Sequence, residues 1–524
     1  MNAQPVQSDR IFSQPSMDAA AAGVAPSPSG WLLGALLPAT GSGAGQSRDL
    51  LDEFLQEPSP QRALLRWLTW SGGDRGLCKD EVVRLLGRDI ARLDALLSRQ
   101  VDAILHHPRF QRLESSWRGL HYLTRQAEGA EGVKIRALSV AWNELARDLE
   151  RAIEFDQSQL FRKVYGDEFG LAGGEPFGLL LGDYEIHPRP SADHPVDDVS
   201  ALAAVAQVAA AAFAPFVAGV HPSMFGLDQF SELEQPLNIA KSFDQMEYLK
   251  WNAFRQSEDA RFVGLAMPRV LVRLPYEDDG TRADGFRFRE DVAGPDRGTY
   301  LWGNAAYAFA AVVVRAFANT GWLAGIRGVE RDVPKGGWVP DLPLHCFSTD
   351  KRGVALKCST DMVITDFQEK VLSEAGFIPL CHCADTECSA FYGNQSVQIP
   401  KRYDDLAATM NARISSMLQY MLCVSRFAHY LKVAARDKIG SFAEASECED
   451  YLNQWLQRYV TSDSEASPEV KAEYPLRAAS VQVRSHPGKP GSYLCVAHLW
   501  PHFELDELTS TLKVTTELAP GQPA

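Results

Sequence analysis

The chain has 524 residues, of which 45% are hydrophobic and 23% are charged, the composition of an ordinary globular protein. Because a single core stops growing at roughly 250–300 residues, this length predicts either several domains or one large core with additions. The net charge of −15 disfavours nonspecific binding to nucleic acid or to an anionic membrane, since both need clustered Lys and Arg. Nine scattered cysteines are typical of reduced thiols in a cytoplasmic protein rather than of a disulfide framework.

The N-terminal residues 1–47 are rich in Ala, Gly, Ser and Pro and predict a flexible tail, because they cannot bury enough apolar surface to order themselves. The first 16 residues contain no apolar segment of the kind that a signal peptide needs. The longest uncharged apolar run, residues 199–220, is rich in Ala and is interrupted by Pro215 and Gly219. It therefore favours a buried helix over a membrane span, and we expect no membrane insertion.

Residues 48–109 predict a helical region. Apolar residues recur there at steps of three or four, at Val82, Leu86, Ile90, Leu93, Leu97, Val101 and Ile104. This spacing places them on one face of a helix, which Pro108 ends. The pattern favours a stripe that faces the core of the protein, and the alternative is a seam for a partner helix.

Residues 110–400 alternate predicted helices with short apolar strands, which indicates a body of the α/β to α+β class. The buried strands are predicted at residues 178–184, 263–274 and 377–381, and the helices at residues 143–153, 199–217 and 305–318. Residues 275–297 are charged and rich in Gly, and predict a loop.

Residues 401–524 predict a change from helix to strand. One long helix is expected over residues 404–438 and another over 448–459, followed by a polar linker at 461–472. Strands at 480–483 and 493–499 flank a Pro- and Gly-rich turn and predict a hairpin. A final strand at 509–518 places Leu512, Val514, Thr516 and Leu518 on one face.

The sequence CHCADTEC at residues 381–388 is the strongest metal-like cluster. Three thiols and an imidazole could bind zinc, but the spacing is not that of a common structural zinc site and no distant second pair is present. Alternation along a strand would also point His382 away from Cys381 and Cys383. Buried cysteines acting as small apolar side chains are favoured, and we expect no metal and no cofactor.

Two further motifs have catalytic and structural interpretations. The Gly-rich residues 170–178 lack the Gly-Lys-Ser/Thr ending of a phosphate-binding loop, so a tight turn before a strand is favoured. Asp183 and Glu185 could act as acid and base, but a turn or an internal ion pair is the favoured interpretation. The sequence contains neither an HExxH nor a GxSxG motif, and we expect no enzymatic activity.

Nine segments of the chain resemble the large-subunit family of the type VI secretion contractile sheath. They are LDEFLQEP at 51–58, FQRLESSWRGLHYL at 110–123, GGEPFGLLLGDYE at 173–185, SEDARFVGL at 257–265, YLWGNAAY at 300–307, GNQSVQ at 393–398, SRFAHYLK at 425–432, RDKIGS at 436–441 and PGKPGSY at 487–493. The segments follow one another in the family's order over residues 50–508, which makes the resemblance specific. Residues 1–47 carry no family signal, and residues 381–388 are richer in Cys than the family pattern.

The resemblance implies a structural subunit with several partners. It would pair with a small sheath subunit, and the pairs would stack with neighbouring protomers into a helical tube around an inner tube of hexameric rings. The tube would grow from a baseplate, and a ring ATPase would disassemble the contracted form through the small subunit. The implied role is contraction that drives the inner tube and its spike outward to deliver effectors, in the cytoplasm and without catalysis.

In these terms, residues 48–109 are a candidate contact for the small subunit, 110–400 the sheath body, and 401–524 a C-terminal sheath domain with a strand-donating arm. The resemblance implies that terminal arms connect neighbouring protomers. We hypothesise that Leu512, Val514 and Thr516 take part in this strand exchange. Two alternatives remain open, namely a sheath protein of another contractile injection machine and a metal-binding enzyme that uses residues 170–185 or 381–388.

Overall fold

The computed structural model describes residues 51–70, 78–171, 173–235, 238–278, 280, 285–292, 297–329, 333, 335–348, 355–383, 386–437, 445–463, 465–485 and 493–502. The chain divides into two compact units, one formed by Met1–Ile104 with Tyr276–Glu290 and the other by Leu105–Pro275 with Asp291–Ala524. Among the described residues, no helix combines the length and the apolar character needed to cross a membrane.

The first unit contains helix α1 (Pro60–Trp70) and almost all of helix α2 (Lys79–Leu105). Helix α2 begins where the Glu81 carboxylate accepts a hydrogen bond of 2.9 Å from the backbone N–H of Cys78, one of the donors that a helix leaves unsatisfied at its start. The predicted single stripe lies on α2, but Ile90, Leu97 and Ile104 are 54%, 45% and 50% exposed. The interpretation of the stripe as facing the core is therefore wrong for these three residues.

The second unit is built on a six-stranded sheet with the order β1-β2-β3-β9-β10-β6. Its strands are β1 (Leu180–Ile186), β2 (Phe216–Val220), β3 (Val263–Met267), β6 (Trp338–Val339), β9 (Ile378–His382) and β10 (Ser389–Phe391). The four strands β1, β2, β3 and β9 are parallel, and β10 pairs antiparallel with both β9 and β6. Shorter pairs are formed by β4 (Val270–Leu271) with β5 (Trp302–Gly303), and by β7 (His345–Ser348) with β8 (Ala355–Cys358).

Helices cover both faces of this sheet, as a parallel sheet requires. The α-helices of seven or more described residues in the body are α3 (Pro108–Gln126), α4 (Trp142–Arg151), α5 (Asp198–Ala212), α6 (Leu249–Arg255), α7 (Ala305–Thr320) and α8 (Asp366–Glu374). In strand β2, the side chains of Phe216, Ala218 and Val220 pack in the cluster that contains α5, whereas Val217 packs in the cluster that contains α7. This mixed helix-and-sheet body confirms the predicted fold class.

The apolar run at residues 199–220 forms a helix and a strand rather than one helix. Helix α5 ends at Ala212, and Phe213 adopts a left-handed conformation with φ 50°. Pro215 cannot continue the helix, because it lacks the N–H that the next helical bond needs. The predicted strand over residues 263–274 is likewise divided into β3 and β4, whereas the strands predicted at 178–184 and 377–381 are confirmed.

The C-terminal part contains helices α9 (Leu406–Ser415), α10 (Leu418–Asp437), α11 (Ala445–Gln457) and α12 (Pro468–Glu473), and strands β11 (Leu476–Ser485) and β12 (Tyr493–Pro501). The long helix predicted over residues 404–438 is two helices. The carbonyl of Ser416 accepts a bond of 3.2 Å from Ser396 N, and Leu418 N donates to Asn394 O at 2.9 Å. These bonds to a distant segment replace helical bonds at the break. The hairpin is confirmed, and the predicted linker contains α12.

Candidate functional site

The predicted strand-exchange residues Leu512, Val514 and Thr516 lie outside the described residues, as does the tail at residues 1–47. The hairpin that precedes the predicted final strand is described. Strands β11 and β12 pair antiparallel over almost their whole length, and β11 packs with α10 and α11 in a core that contains Phe427, Leu456 and Val481. The hairpin is thus fixed to the C-terminal helices rather than free.

One edge of this hairpin is protected by side chains of α11. Asn453 donates to Val481 O at 3.0 Å and accepts from Val481 N at 2.8 Å. Gln457 donates to Ala479 O at 3.1 Å, and Glu449 accepts from Val483 N at 2.8 Å. These side chains occupy four backbone groups in the middle of β11 that point away from β12, so a strand added on that edge would find them already bonded.

The opposite edge of the hairpin is open within the part of the chain that the structure describes. Val481 bonds to Asn453 and not to β12, so its partner Ala497 also directs its backbone groups away from the pair. By the same alternation, Cys495 and Leu499 direct their N–H and C=O groups to the outer edge of β12. The neighbouring side chains Leu494, Val496 and Trp500 are exposed. This edge has the polar row and the apolar flank that an added strand needs.

A second exposed apolar surface lies on α3 in the sheet-containing unit. The side chains of Leu113 and Trp117 are exposed at the side of a cleft of about 980 Å³. The cleft is also lined by the segment 132–140 and by Leu181 and Tyr307. Singly exposed apolar residues are common, but a contiguous group on a cleft marks a surface that another element can cover.

The sequence Gly-Asp-Tyr-Glu at residues 182–185 forms internal contacts, as the ion-pair interpretation predicted. The Arg269 guanidinium donates to both carboxylate oxygens of Glu185, at 2.6 and 2.9 Å. Burial raises the pKa of Asp183, although Ser116, Tyr307 and Asn304 bond to its carboxylate and lower it in part. Both carboxylates are therefore engaged by other residues of the body.

Asn304 repairs an irregularity in the same strand. The register of β1 against β2 shifts between Gly182 and Glu185, which frees backbone carbonyls of β1. The Asn304 amide donates to Tyr184 O at 3.1 Å, and its oxygen accepts from Ala306 N at 2.9 Å at the start of α7. A Cβ at Gly219 would lie 2.7 Å from the Asn304 oxygen, so only glycine fits there.

The described Cys-rich residues, 381–383 and 386–388, belong to the end of β9 and to the segment before β10. Cys381 lies in the core, where burial raises the pKa of its thiol. His382 bonds to Ser389 at 3.3 Å, whereas Cys383 contacts the Tyr392 hydroxyl at 3.4 Å. Cys381 thus packs as a small apolar side chain, the role that the sequence favoured.

The described part of the Gly-rich segment, residues 170, 171 and 173–178, precedes β1. Gly173 has φ 81°, and a Cβ at Gly174 would lie 2.1 Å from the carbonyl oxygen of Glu168. Glu175 is paired with Lys134 and, at 3.3 Å, with Arg136. The segment therefore has the close backbone packing of a tight turn, and the positive charges beside it, on Lys134 and Arg136, are paired with its carboxylate Glu175.

Sequence reasoning missed one cluster of possible ligands at the carboxyl ends of β1 and β2. It consists of His187, His194 and Asp198, whose ligand atoms all lie within 4.8 Å of one another. His187 directly follows β1, and Asp198 begins α5. The spacing matches no common short metal motif, so only the turn between strand and helix brings the three residues together.

Family models and a named relative match most of this chain. The family model described as EvpB/VC_A0108, tail sheath N-terminal domain, matches residues 87–398, and the one described as EvpB/VC_A0108, tail sheath gpW/gp25-like domain, matches residues 407–518. The type VI secretion system sheath protein TssC1 of Pseudomonas aeruginosa is 42% identical over 451 residues, which cover 86% of this chain and 89% of that protein.

Two solved structures of the anti-feeding prophage also match. A chain of its baseplate, symmetrised six-fold, aligns with a TM-score of 0.33 and 11% identity over 62% of this chain and 67% of that one. A chain of its helical sheath in the contracted state aligns with a TM-score of 0.29 and 13% identity over 62% and 68% of the two chains.

Proposed function

The chain belongs to the family of type VI secretion sheath proteins, and from that membership we propose that it is the large structural subunit of a contractile sheath. The observation that carries the proposal is the collinear match to both tail sheath domains, over residues 87–398 and 407–518. The proposed partners are a small sheath subunit, neighbouring protomers, the hexameric inner tube, the baseplate and, through the small subunit, a ring ATPase. The proposed location is the cytoplasm.

The bonds that Asp183 and Glu185 form within the body are consistent with a passive mechanical role. The Glu185 carboxylate is bound by Arg269, and the Asp183 carboxylate by three neighbouring side chains, so both are held by other residues of the body. Contraction needs no nucleotide site in such a subunit, because the work can come from an extended packing that relaxes to one with more buried contact. The proposal is therefore of a protein that is not an enzyme.

A relative that is 42% identical and is named a type VI sheath protein does not favour the alternative of another contractile injection machine. The direct test is co-expression of the chain with a small sheath subunit of a type VI secretion system, followed by electron microscopy. Hollow, ridged tubes are the expected product. A soluble complex of the two proteins that forms no polymer under any condition that supports a relative's assembly would contradict the proposal.

We further propose that neighbouring protomers connect by strand addition at the outer edge of β12. Asn453, Gln457 and Glu449 occupy the middle of the β11 edge, so among the described strands the β12 side of the hairpin is the better edge for an added strand. The predicted final strand, with Leu512, Val514 and Thr516, is the segment proposed to add there. Main-chain hydrogen bonds would keep the protomers connected while the chain between β12 and the predicted final strand changes direction.

The edge proposal is tested by substituting one residue whose N–H points outward. Cys495→Pro removes such an N–H without removing a bond between β11 and β12, because proline is tolerated at the solvent side of an edge strand. We expect this variant to bind the small subunit and to form no long tubes. Cys495→Val is the matched control, since it keeps the N–H and suits a strand.

Deletion of residues 509–524 tests the other half of the same contact. The truncated chain should keep its complex with the small subunit and should form no long tubes. Tubes of normal length from this deletion would exclude Leu512, Val514 and Thr516 from strand exchange. Tubes of normal length from Cys495→Pro would instead exclude the edge of β12.

A further inference from the structure

Asp198 is surrounded by hydrogen-bond donors in the first turn of α5. Its Oδ1 accepts from Trp142 Nε1 at 2.6 Å and its Oδ2 from the backbone N–H of His187 at 2.9 Å. The carboxylate is buried. Burial acts to raise the pKa of Asp198, but the bonds from His187, His194 and Trp142 outweigh it and hold that pKa below its ordinary value. The carboxylate is therefore ionised and fixed in orientation.

Two imidazole nitrogens converge on the same carboxylate. His187 Nδ1 lies 3.1 Å from Asp198 Oδ2, and His194 Nε2 lies 2.7 Å from Asp198 Oδ1. Two imidazoles and one carboxylate are a ligand set that suits a divalent transition-metal ion and leaves a fourth position open. The bonds from Trp142 and from the His187 backbone are of the kind that orients a ligating carboxylate from behind.

We propose that His187, His194 and Asp198 form a binding site for a divalent transition-metal ion of the zinc class, which would tie the loop after β1 to the start of α5. The site lies at the carboxyl ends of parallel strands, where α/β sheets commonly bind ligands. Binding requires each imidazole to carry its proton on the nitrogen that does not face the ion.

Binding of an ion requires one of the two imidazole rings to move. The rings of His187 and His194 are stacked, with centroids 4.1 Å apart and an interplanar angle of 16°. Parallel rings at this separation cannot both hold one ion in their planes, so His194 must rotate out of the stack. Its side chain is 25% exposed and lies in the loop before α5, so part of the ring already borders solvent.

His221 belongs to the surroundings of the proposed site and not to its ligands. Its ring stacks on the other face of His187 at 4.1 Å. Its Nδ1 accepts the backbone N–H of Ser223 at 3.2 Å and contacts the Ser223 hydroxyl at 2.8 Å, so that nitrogen is occupied. The positive end of the α5 dipole disfavours a cation at this position, and the ionised Asp198 offsets that effect.

The test uses Co²⁺ as the probe, added to the full-length chain in the complex in which it is purified and after removal of any polyhistidine tag. We expect one Co²⁺ per chain by elemental analysis, with visible d–d absorption bands that Zn²⁺ abolishes by displacement. His194→Gln should lose these bands, whereas Cys383→Ser with Cys388→Ser should retain them. Zn²⁺ should raise the melting temperature of the wild type and not of His194→Gln.

Several results would overturn the site. They are the absence of stoichiometric Co²⁺ in the wild type, bands that survive His194→Gln, and bands that depend on Cys383 and Cys388. Because the His194 side chain is partly exposed, we expect His194→Gln to fold. Tube formation together with circular dichroism shows whether the variant is folded. If it is not folded, His187→Asn replaces it, and retention of Co²⁺ by a folded His187→Asn chain would equally contradict the proposal.

Discussion

The guanidinium of Arg269 holds the carboxylate of Glu185 with two hydrogen bonds of 2.6 and 2.9 Å. Glu185 belongs to β1, and Arg269 follows β3, so the pair connects strands that are separated by β2 in the sheet. Both side chains are about two-thirds buried or more, with 32% and 26% of their surface exposed. The pair thus fixes the end of the sheet where Asp361 and Arg297 also lie.

Arg269→Met should destabilise the body by about 2 kcal/mol, less than the roughly 3–5 kcal/mol that breaking a fully buried pair costs, because water reaches Glu185. The loss comes mainly from leaving the carboxylate without its partner. Adding Glu185→Met should restore part of the stability. Urea denaturation of the four proteins in a double-mutant cycle measures the coupling, and additive losses would show that the pair contributes nothing beyond its separate residues.

Asp361→Asn should increase stability at neutral and alkaline pH. Burial raises the pKa of Asp361 to about 7, with Arg269 and Arg297 offsetting this in part. Because the folded pKa lies above the ordinary value of 3.8, the folded chain loses stability as pH rises from about 4 to about 7. The shift corresponds to about 4 kcal/mol at most.

The measurement for Asp361 is the free energy of unfolding of wild type and variant at pH 5 and pH 8. The advantage of Asp361→Asn should be larger at pH 8. An advantage that does not change between the two pH values would contradict the titration of Asp361 in this window.

His429→Gln should reduce the loss of stability in acid. His429 is buried and its Nε2 contacts Ala212 O at 2.9 Å, and burial lowers its pKa to about 4. Since the unfolded imidazole binds a proton first, near 6.5, stability is lost as pH falls from about 6.5 to about 4, by about 3 kcal/mol in all. Gln keeps a donor for the carbonyl and does not titrate. Unfolding free energies at pH 7 and pH 4.5 test this, and parallel acid losses in the two proteins would argue against it.

Gly119→Ala should separate α3 from α7. A Cβ at Gly119 would lie 2.5 Å from two ring atoms of Tyr307, and such overpacking costs about 1–3 kcal/mol. Gly87→Ala on α2 is the matched control, because no atom lies within 4 Å of its added Cβ and alanine is favoured in helices by about 0.8–1 kcal/mol. Thermal melts of both variants should shift in opposite directions, and a neutral Gly119→Ala would mean that the Tyr307 ring can move aside.

Ile90→Asp combined with Leu97→Asp should abolish binding of the proposed small subunit and leave the chain folded. Both side chains are about half exposed on α2, so a charge there costs little in the isolated chain and much at a helix–helix seam. Arg92→Asp is the control on the other side of the helix. Co-purification measures the effect, and an intact complex in the double variant would place the small subunit elsewhere.

The sequence by itself determined those strands and helices whose residues follow a short-range apolar pattern. Short apolar runs predicted β1 and β9, alternating residues predicted the C-terminal hairpin, and the ordered motifs predicted the sheath family that the comparisons confirm. The strand predictions rest on residues close together in the chain, and the family prediction rests on direct sequence similarity. Neither of them requires a long-range contact to be known. The spacing of the α2 stripe likewise predicted a helical face, but not whether that face is covered.

Only the tertiary structure decided the features that depend on distant partners. The break between α9 and α10 arises because Leu418 and Ser416 form backbone hydrogen bonds with Asn394 and Ser396. These two partners lie in a non-helical segment about 20 residues earlier in the chain. Asn453 protects the edge of β11 across 28 residues of sequence. The convergence of His187 and His194 on Asp198 depends on how the chain turns after β1. Hydrogen bonds between separated segments leave no periodicity in the sequence, and this is why the open edge of β12 and the histidine cluster became visible only in the fold.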